Sequence, residues 1–123
     1  MNWSMLQIAV VSIPVSDQAR AKEFYLRLGF DLLAEDQMKE DTKWIQMGLP
    51  GGQTTITLVT WFKKMPAGSM QGLVLVTDDI VSDFANYKAQ GLPVSELMET
   101  PNGRFFNLKD PDGNGISVQE HQK

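Results

Sequence analysis

The chain has 123 residues and a mass of 13.8 kDa, within the size range of a single domain. Its composition is 42% hydrophobic and 21% charged, with no cysteine and one histidine; this suits a globular protein and excludes disulfides, thiolate metal sites, cysteine nucleophiles and any centre that draws two imidazoles from one chain. A formal net charge of −4 argues against nucleic acid as a partner, because such binding needs a basic surface.

The residues from Leu6 to Val15 are apolar and β-branched, which predicts a buried strand. That run is too short for a membrane span or a signal-peptide core, so no membrane partner and a cytoplasmic location are expected. Ser16 and Asp17 supply an N-cap for a helix over 19–28, whose Ala21, Phe24, Tyr25 and Leu28 fall on one face before Gly29 stops it. Phe30 to Ala34 reads as a second strand and Glu35 to Thr42 as a polar connection. Lys43 to Met47 and Thr54 to Trp61 then form a hairpin about the turn Leu49-Pro50-Gly51-Gly52-Gln53.

After a Pro-, Gly- and Ser-bearing linker the order begins again. Leu73 to Val76 predicts a strand, Thr77-Asp78-Asp79 a cap, and Val81 to Ala89 a helix closed by Gln90-Gly91. Pro93 to Leu97 predicts an edge strand, and Arg104 to Leu108 and Gly115 to Glu120 two more around Asp110-Pro111-Asp112-Gly113-Asn114. Asp17 and Tyr25 map onto Asp79 and Tyr87 at an offset of 62, and Pro50 and Gly52 onto Pro111 and Gly113 at 61. Agreement of hydrophobic pattern and turn chemistry together predicts an internal repeat: module one about 5–62, a linker about 63–70 and module two about 71–121.

The stretch Ile13-Pro14-Val15-Ser16-Asp17, then Ala21, Phe24-Tyr25 and Leu28-Gly29-Phe30, with Asp110 to Asn114 near the end, resembles the vicinal oxygen chelate superfamily. This is the group of glyoxalase I, bleomycin-resistance proteins and extradiol dioxygenases. The resemblance implies an α+β fold of two tandem β-α-β-β-β modules, whose curled mixed sheets enclose a concave cavity and carry their helices on the convex side. In metal-binding members the first and last strands of each half supply inward ligands, usually His, Gln or Glu. The matching positions here are Val10, Thr57, Gly72 and Ser117, a set without a strong ligand, so no metal and no cofactor are expected.

The two-residue period of a strand gives the lining of that cavity. If Val11, Ile13 and Val15 meet the helix, Val10, Ser12 and Pro14 point the other way. The same parity sends Trp44, Gln46, Thr57, Trp61, Phe105, Asn107 and Ser117 inward, a mixture of rings, amides and hydroxyls that suits an organic ligand. The rings equally suit core or dimer packing. Arg104 stands where it could pair with an anionic group or lie in solvent, His121 follows the last strand near the C-terminus, and neither Ser12 nor Ser117 has a nucleophile's partner.

The resulting expectation is a metal-independent protein of the glyoxalase/bleomycin-resistance type that binds, and sequesters, a small organic compound or antibiotic. The alternative is a lyase, isomerase or transferase of the glyoxalase-like class on a small organic substrate. The acidic net charge favours cationic ligands. A homodimer is expected, because short sheets leave open edges and because Trp3, Phe62 and Met65 are apolar residues in exposed segments.

Overall fold

The structure, a computed structural model, describes residues 5–121. The chain divides into two compact units at Pro66 and Ala67, within the predicted linker. Trp3 lies outside the described residues. Among those residues no helix is long and apolar enough to cross a membrane.

The first unit runs β1 (Val10–Pro14), α1 (Gln18–Leu28), β2 (Asp31–Lys39), β3 (Thr42–Gly48) and β4 (Thr55–Val59). Its sheet has the order β1-β4-β3-β2, with β1 parallel to β4 and the other pairs antiparallel. The second unit repeats the plan with β5 (Leu73–Thr77), α2 (Ile80–Ala89), β6 (Met98–Thr100), β7 (Gly103–Lys109) and β8 (Gly115–Glu120), in the order β5-β8-β7-β6 and with β5 parallel to β8. Two four-stranded mixed sheets, each with one helix, bear out the α+β assignment and the repeat.

The helices start and stop where side-chain chemistry dictates. The Asp17 carboxylate accepts the Arg20 N–H and the Asp79 carboxylate the Ser82 N–H, each satisfying a donor that a helix start leaves open. Gly29 ends α1 at φ 115°, a left-handed conformation open to glycine, and its N–H returns to the carbonyls of Leu26 and Tyr25. The predicted face of α1, Ala21, Phe24, Tyr25 and Leu28, is buried where the helix packs on β3 and β4, whose Ile45, Met47 and Leu58 are buried as well. Tyr25 meets Phe24 and Phe30 edge to face, with ring centres 5.2 and 5.5 Å away. In the second unit Phe106 takes that central place, 5.4 Å from Phe84 and 6.0 Å from Tyr87.

Four boundaries differ from the sequence reading. The ladder of β1 begins at Val10 rather than Leu6, and Met5, Leu6 and Ile8 stand exposed before it. Strand β2 continues through the supposed polar connection to Lys39: as an edge strand it needs no second apolar row, and its Glu35 serves Lys22 and Lys43 instead. Strand β4 ends at Val59, leaving Trp61 in the following loop. Over 93–97 no strand forms beyond a single Val94–Leu108 bridge. Pro93 has no N–H to give, and the Ser95 hydroxyl takes the Asn107 N–H at 2.9 Å where a strand would offer a carbonyl.

Both units are fastened by polar residues. The Gln18 amide donates to the carbonyls of Lys43 and Leu58, both at 2.7 Å, and accepts the Lys43 N–H at 3.1 Å, tying the start of α1 across β3 and β4. The turn before β8 is built on Asp110, only 5% exposed, whose carboxylate accepts the N–H groups of Asp112 and Asn114 and the Asn114 amide. Asn114 in turn accepts the Met70 N–H at 3.0 Å, holding the approach to β5.

Candidate functional site

Each sheet has one face under its helix and one face away from it. The register fixes which residues share the helix-free face of the first sheet: Val10 lies beside Thr55, Ser12 beside Thr57, Thr57 beside Gln46 and Asp36 beside Trp44. The polar groups there are tied to one another. The Trp44 indole N–H donates to Gln46 Oε1 at 3.2 Å, the Gln46 amide donates to Thr55 Oγ1 at 2.9 Å, and the Thr55 hydroxyl donates to the Ala9 carbonyl at 2.9 Å. Ser12 and Thr57 hydroxyls pair at 3.3 Å, with Thr57 only 1% exposed. Trp44 and Gln46 are half-buried, so this face offers a held indole more than open hydrogen-bonding groups.

A bulge adds a residue that strand parity does not predict. Pairing of β2 with β3 skips from Leu32 to Ala34, leaving Leu33 without a register partner. Leu33 folds toward Gly48 and Thr55: a Cβ on Gly48 would stand 3.0 Å from Leu33 Cδ1 and 3.3 Å from Thr55 Cγ2.

On the second sheet Phe105 pairs with Gln119 and Met98, Asn107 with Ser117, and Ser117 with Val74. Val74 and Val76 are 48% and 63% exposed on this face. A groove of about 600 Å³ opens at one end of it, with Asn107, Lys109 and Ser117 from the strands, Gly72 from the approach to β5 and Val94 and Ser95 from the irregular segment. Phe105 lies outside this groove, in a separate depression with Gln119.

Of the seven predicted residues, then, Asn107 and Ser117 meet in one groove, and Phe105 shares their sheet. Trp44, Gln46 and Thr57 share the helix-free face of the first sheet, and Thr57 is closed off there. Trp61 is beyond its strand, where period-two parity no longer applies, with its ring tilted against Phe62 at 6.1 Å. Lys109 was legible from the same alternation that gives Asn107, whereas Val94 and Ser95 were masked by the expectation of a strand.

Arg104 is not open to an external anion. Its guanidinium grips Glu120 with Nη2–Oε1 at 2.6 Å and Nε–Oε2 at 3.1 Å, and lies on the helix side by its alternation with Phe105. These hydrogen bonds hold the Glu120 carboxyl below its ordinary pKa and raise that of Arg104. Likewise Lys22 and Lys43 hold Glu35 low. His121 is exposed, and its backbone N–H donates to the Thr77 carbonyl at 2.7 Å.

The fold's usual metal positions carry Val10, Thr57, Gly72 and Ser117. An alkyl group, a missing side chain, a hydroxyl already paired with Ser12 and one further hydroxyl do not fit a divalent ion, which needs three or four imidazole or carboxylate donors. Among the described residues no group of three His, Cys, Asp or Glu is placed to hold a metal.

The sequence matches the model of the Glyoxalase/Bleomycin resistance protein/Dioxygenase superfamily over residues 7–118. The crystal structure of TnmS3, an antibiotic binding protein from Streptomyces sp. CB03234, is similar at 41% identity and a TM-score of 0.89, covering 98% of this chain and 100% of that one. A glyoxalase/bleomycin resistance protein from the same Streptomyces is 43% identical with a TM-score of 0.82, covering 92% of this chain and 99% of that one. The uncharacterized protein YetH of Bacillus subtilis (strain 168) is 33% identical over 122 residues, 93% of this chain and 98% of that protein.

Proposed function

The chain belongs to the glyoxalase/bleomycin resistance protein/dioxygenase superfamily, and from that membership we propose that it binds a small organic molecule of the antibiotic kind without a metal. The observation that carries this reading is the groove of about 600 Å³ on the second sheet. Its volume is that of a site for a drug-sized molecule, and apolar Val94 stands there beside the neutral polar groups of Asn107 and Ser117. The 41% identity to a protein described as antibiotic binding supports the same class of ligand. Sequestration requires only such a surface.

Two measurements test it. Elemental analysis of the purified protein should find no stoichiometric zinc, nickel, manganese or iron; about one ion per chain, lost on Ser117→Ala, would contradict the metal-free reading. Calorimetry on hits from an antibiotic screen should show Val94→Ala and Asn107→Ala each weakening binding several-fold, on the order of 1 kcal/mol per lost interaction, with little change in melting temperature. The helix-side control Val118→Ala, outside the groove's lining, should lower the melting temperature and spare affinity. Binding abolished by Val118→Ala alone would place the site on the wrong face.

A further inference from the structure

We propose that the groove of the second unit selects ligands presenting an acidic or acceptor-rich edge, a carboxylate, phenolate or conjugated carbonyl on an apolar body. This rests on the ligand-binding reading above and names the chemistry that reading leaves open. It also reverses the preference for cations implied by the net charge of −4.

Lys109 is the one ionisable side chain in the groove's lining, and no carboxylate lines it. The ion pairs among the described residues are Lys22 and Lys43 with Glu35 and Arg104 with Glu120, so Lys109 is left without a carboxylate partner. Across the ladder from Lys109 stands Gly115, over which the uncharged Gln71 amide lies, so no carboxylate neutralises the lysine from that side. The neighbouring Asp110 is unavailable, because its carboxylate is committed to Asp112 and Asn114 within the turn.

The neutral groups complete the lining. The Gln71 Nε2 is directed to the carbonyls of Gly68 and Gly113 while its Oε1 lies over Gly115, and Ser95 is engaged with Asn107 and Glu96. What remains is the Lys109 ammonium, the Asn107 amide and the Ser117 hydroxyl, whose side chains make no hydrogen bond among the described residues. The ammonium is donor-only, and the amide and hydroxyl can each donate beside it. A ligand edge rich in acceptors satisfies them, and a charged one gains charge-assisted bonds. The local field of one lysine at the site outweighs distant screened carboxylates.

The test uses two fluorescent probes of one shape, anilinonaphthalenesulfonate and its uncharged parent N-phenylnaphthylamine, titrated against the full chain. Lys109→Met should weaken the sulfonate about three- to tenfold and leave the neutral probe unchanged. Lys109→Arg should retain the sulfonate, and Lys88→Met, outside the groove, should change neither. Added salt should weaken sulfonate binding to the parent protein but not to Lys109→Met. A groove-filling Ser117→Phe separates the two readings. If it blocks both probes while Lys109→Met leaves their ratio unchanged, the charge preference is wrong and the site stands. If it blocks neither, or neither probe binds, the site falls and the preference with it. Lys109 is exposed, and unchanged melting temperatures confirm that its variants fold.

Discussion

Two carboxylates illustrate how single residues here act through their partners. Glu120 lies in the fork of Arg104, which keeps it ionised below the ordinary carboxylate range. A carboxyl whose pKa is lowered by folding stabilises the fold above its unfolded pKa, and that stabilisation is lost as pH falls through the lowered value. Melting temperatures followed from about pH 6 to about pH 3 should therefore show the parent above Glu120→Gln at the upper end, with the gap closing in acid. A gap that widened toward acid would contradict the pairing. Asn114 is the stricter case: buried, it joins Asp110 to Met70, so Asn114→Ala removes two side-chain hydrogen bonds from the turn and should cost about 2–3 kcal/mol by urea denaturation. Such partners are what sequence conceals. Asp110 and Asn114 were legible as a turn, but Gln18 bonding to Lys43 and Leu58 joins residues far apart in sequence, and no local pattern announces it.

Elements were legible where one face is buried and obscured where neither is. Helix α1 declared itself through Ala21, Phe24, Tyr25 and Leu28 and through its caps at Asp17 and Gly29. The end of β2 did not, because an exposed edge strand has no apolar row for periodicity to detect. The site was half legible for the same reason. Asn107 and Ser117 follow from the regular alternation of β7 and β8, while Ser95 enters through a hydroxyl that replaces a strand carbonyl. The left-handed end of α1 carries a prediction at this scale. Gly29→Ala keeps the hydrogen bonds but forces a β-carbon into φ 115°, so it should destabilise by at least about 1 kcal/mol without altering ligand affinity. Open space around that position makes the cost one of backbone conformation, which a D-alanine at the same site should relieve.

For the whole molecule, the family and the tandem plan were readable from Asp17 and Tyr25 recurring at Asp79 and Tyr87, and the structure gives both units the same strand order. Assembly remains a proposal. Leu33, Met38, Val74 and Val76 are exposed apolar side chains on short open sheets, and we expect a second copy of the chain to cover part of that surface. Light scattering at micromolar concentration should give twice 13.8 kDa, and Val74→Glu with Val76→Lys should shift it toward the monomer; a monomer for the parent protein would refute the expectation. The parallel pairing of first and last strands has a separate consequence for how the chain reaches this state. Ser12 must wait for Thr57, 45 residues later, and Met70 for Asn114, 44 later, so the closing ladder of each unit carries a large loop entropy and its folding is slow for its size. On the ribosome, however, the first ladder is complete in sequence once Val59 has emerged, before β5 exists. A nascent chain can thus close one sheet while the other is still being translated.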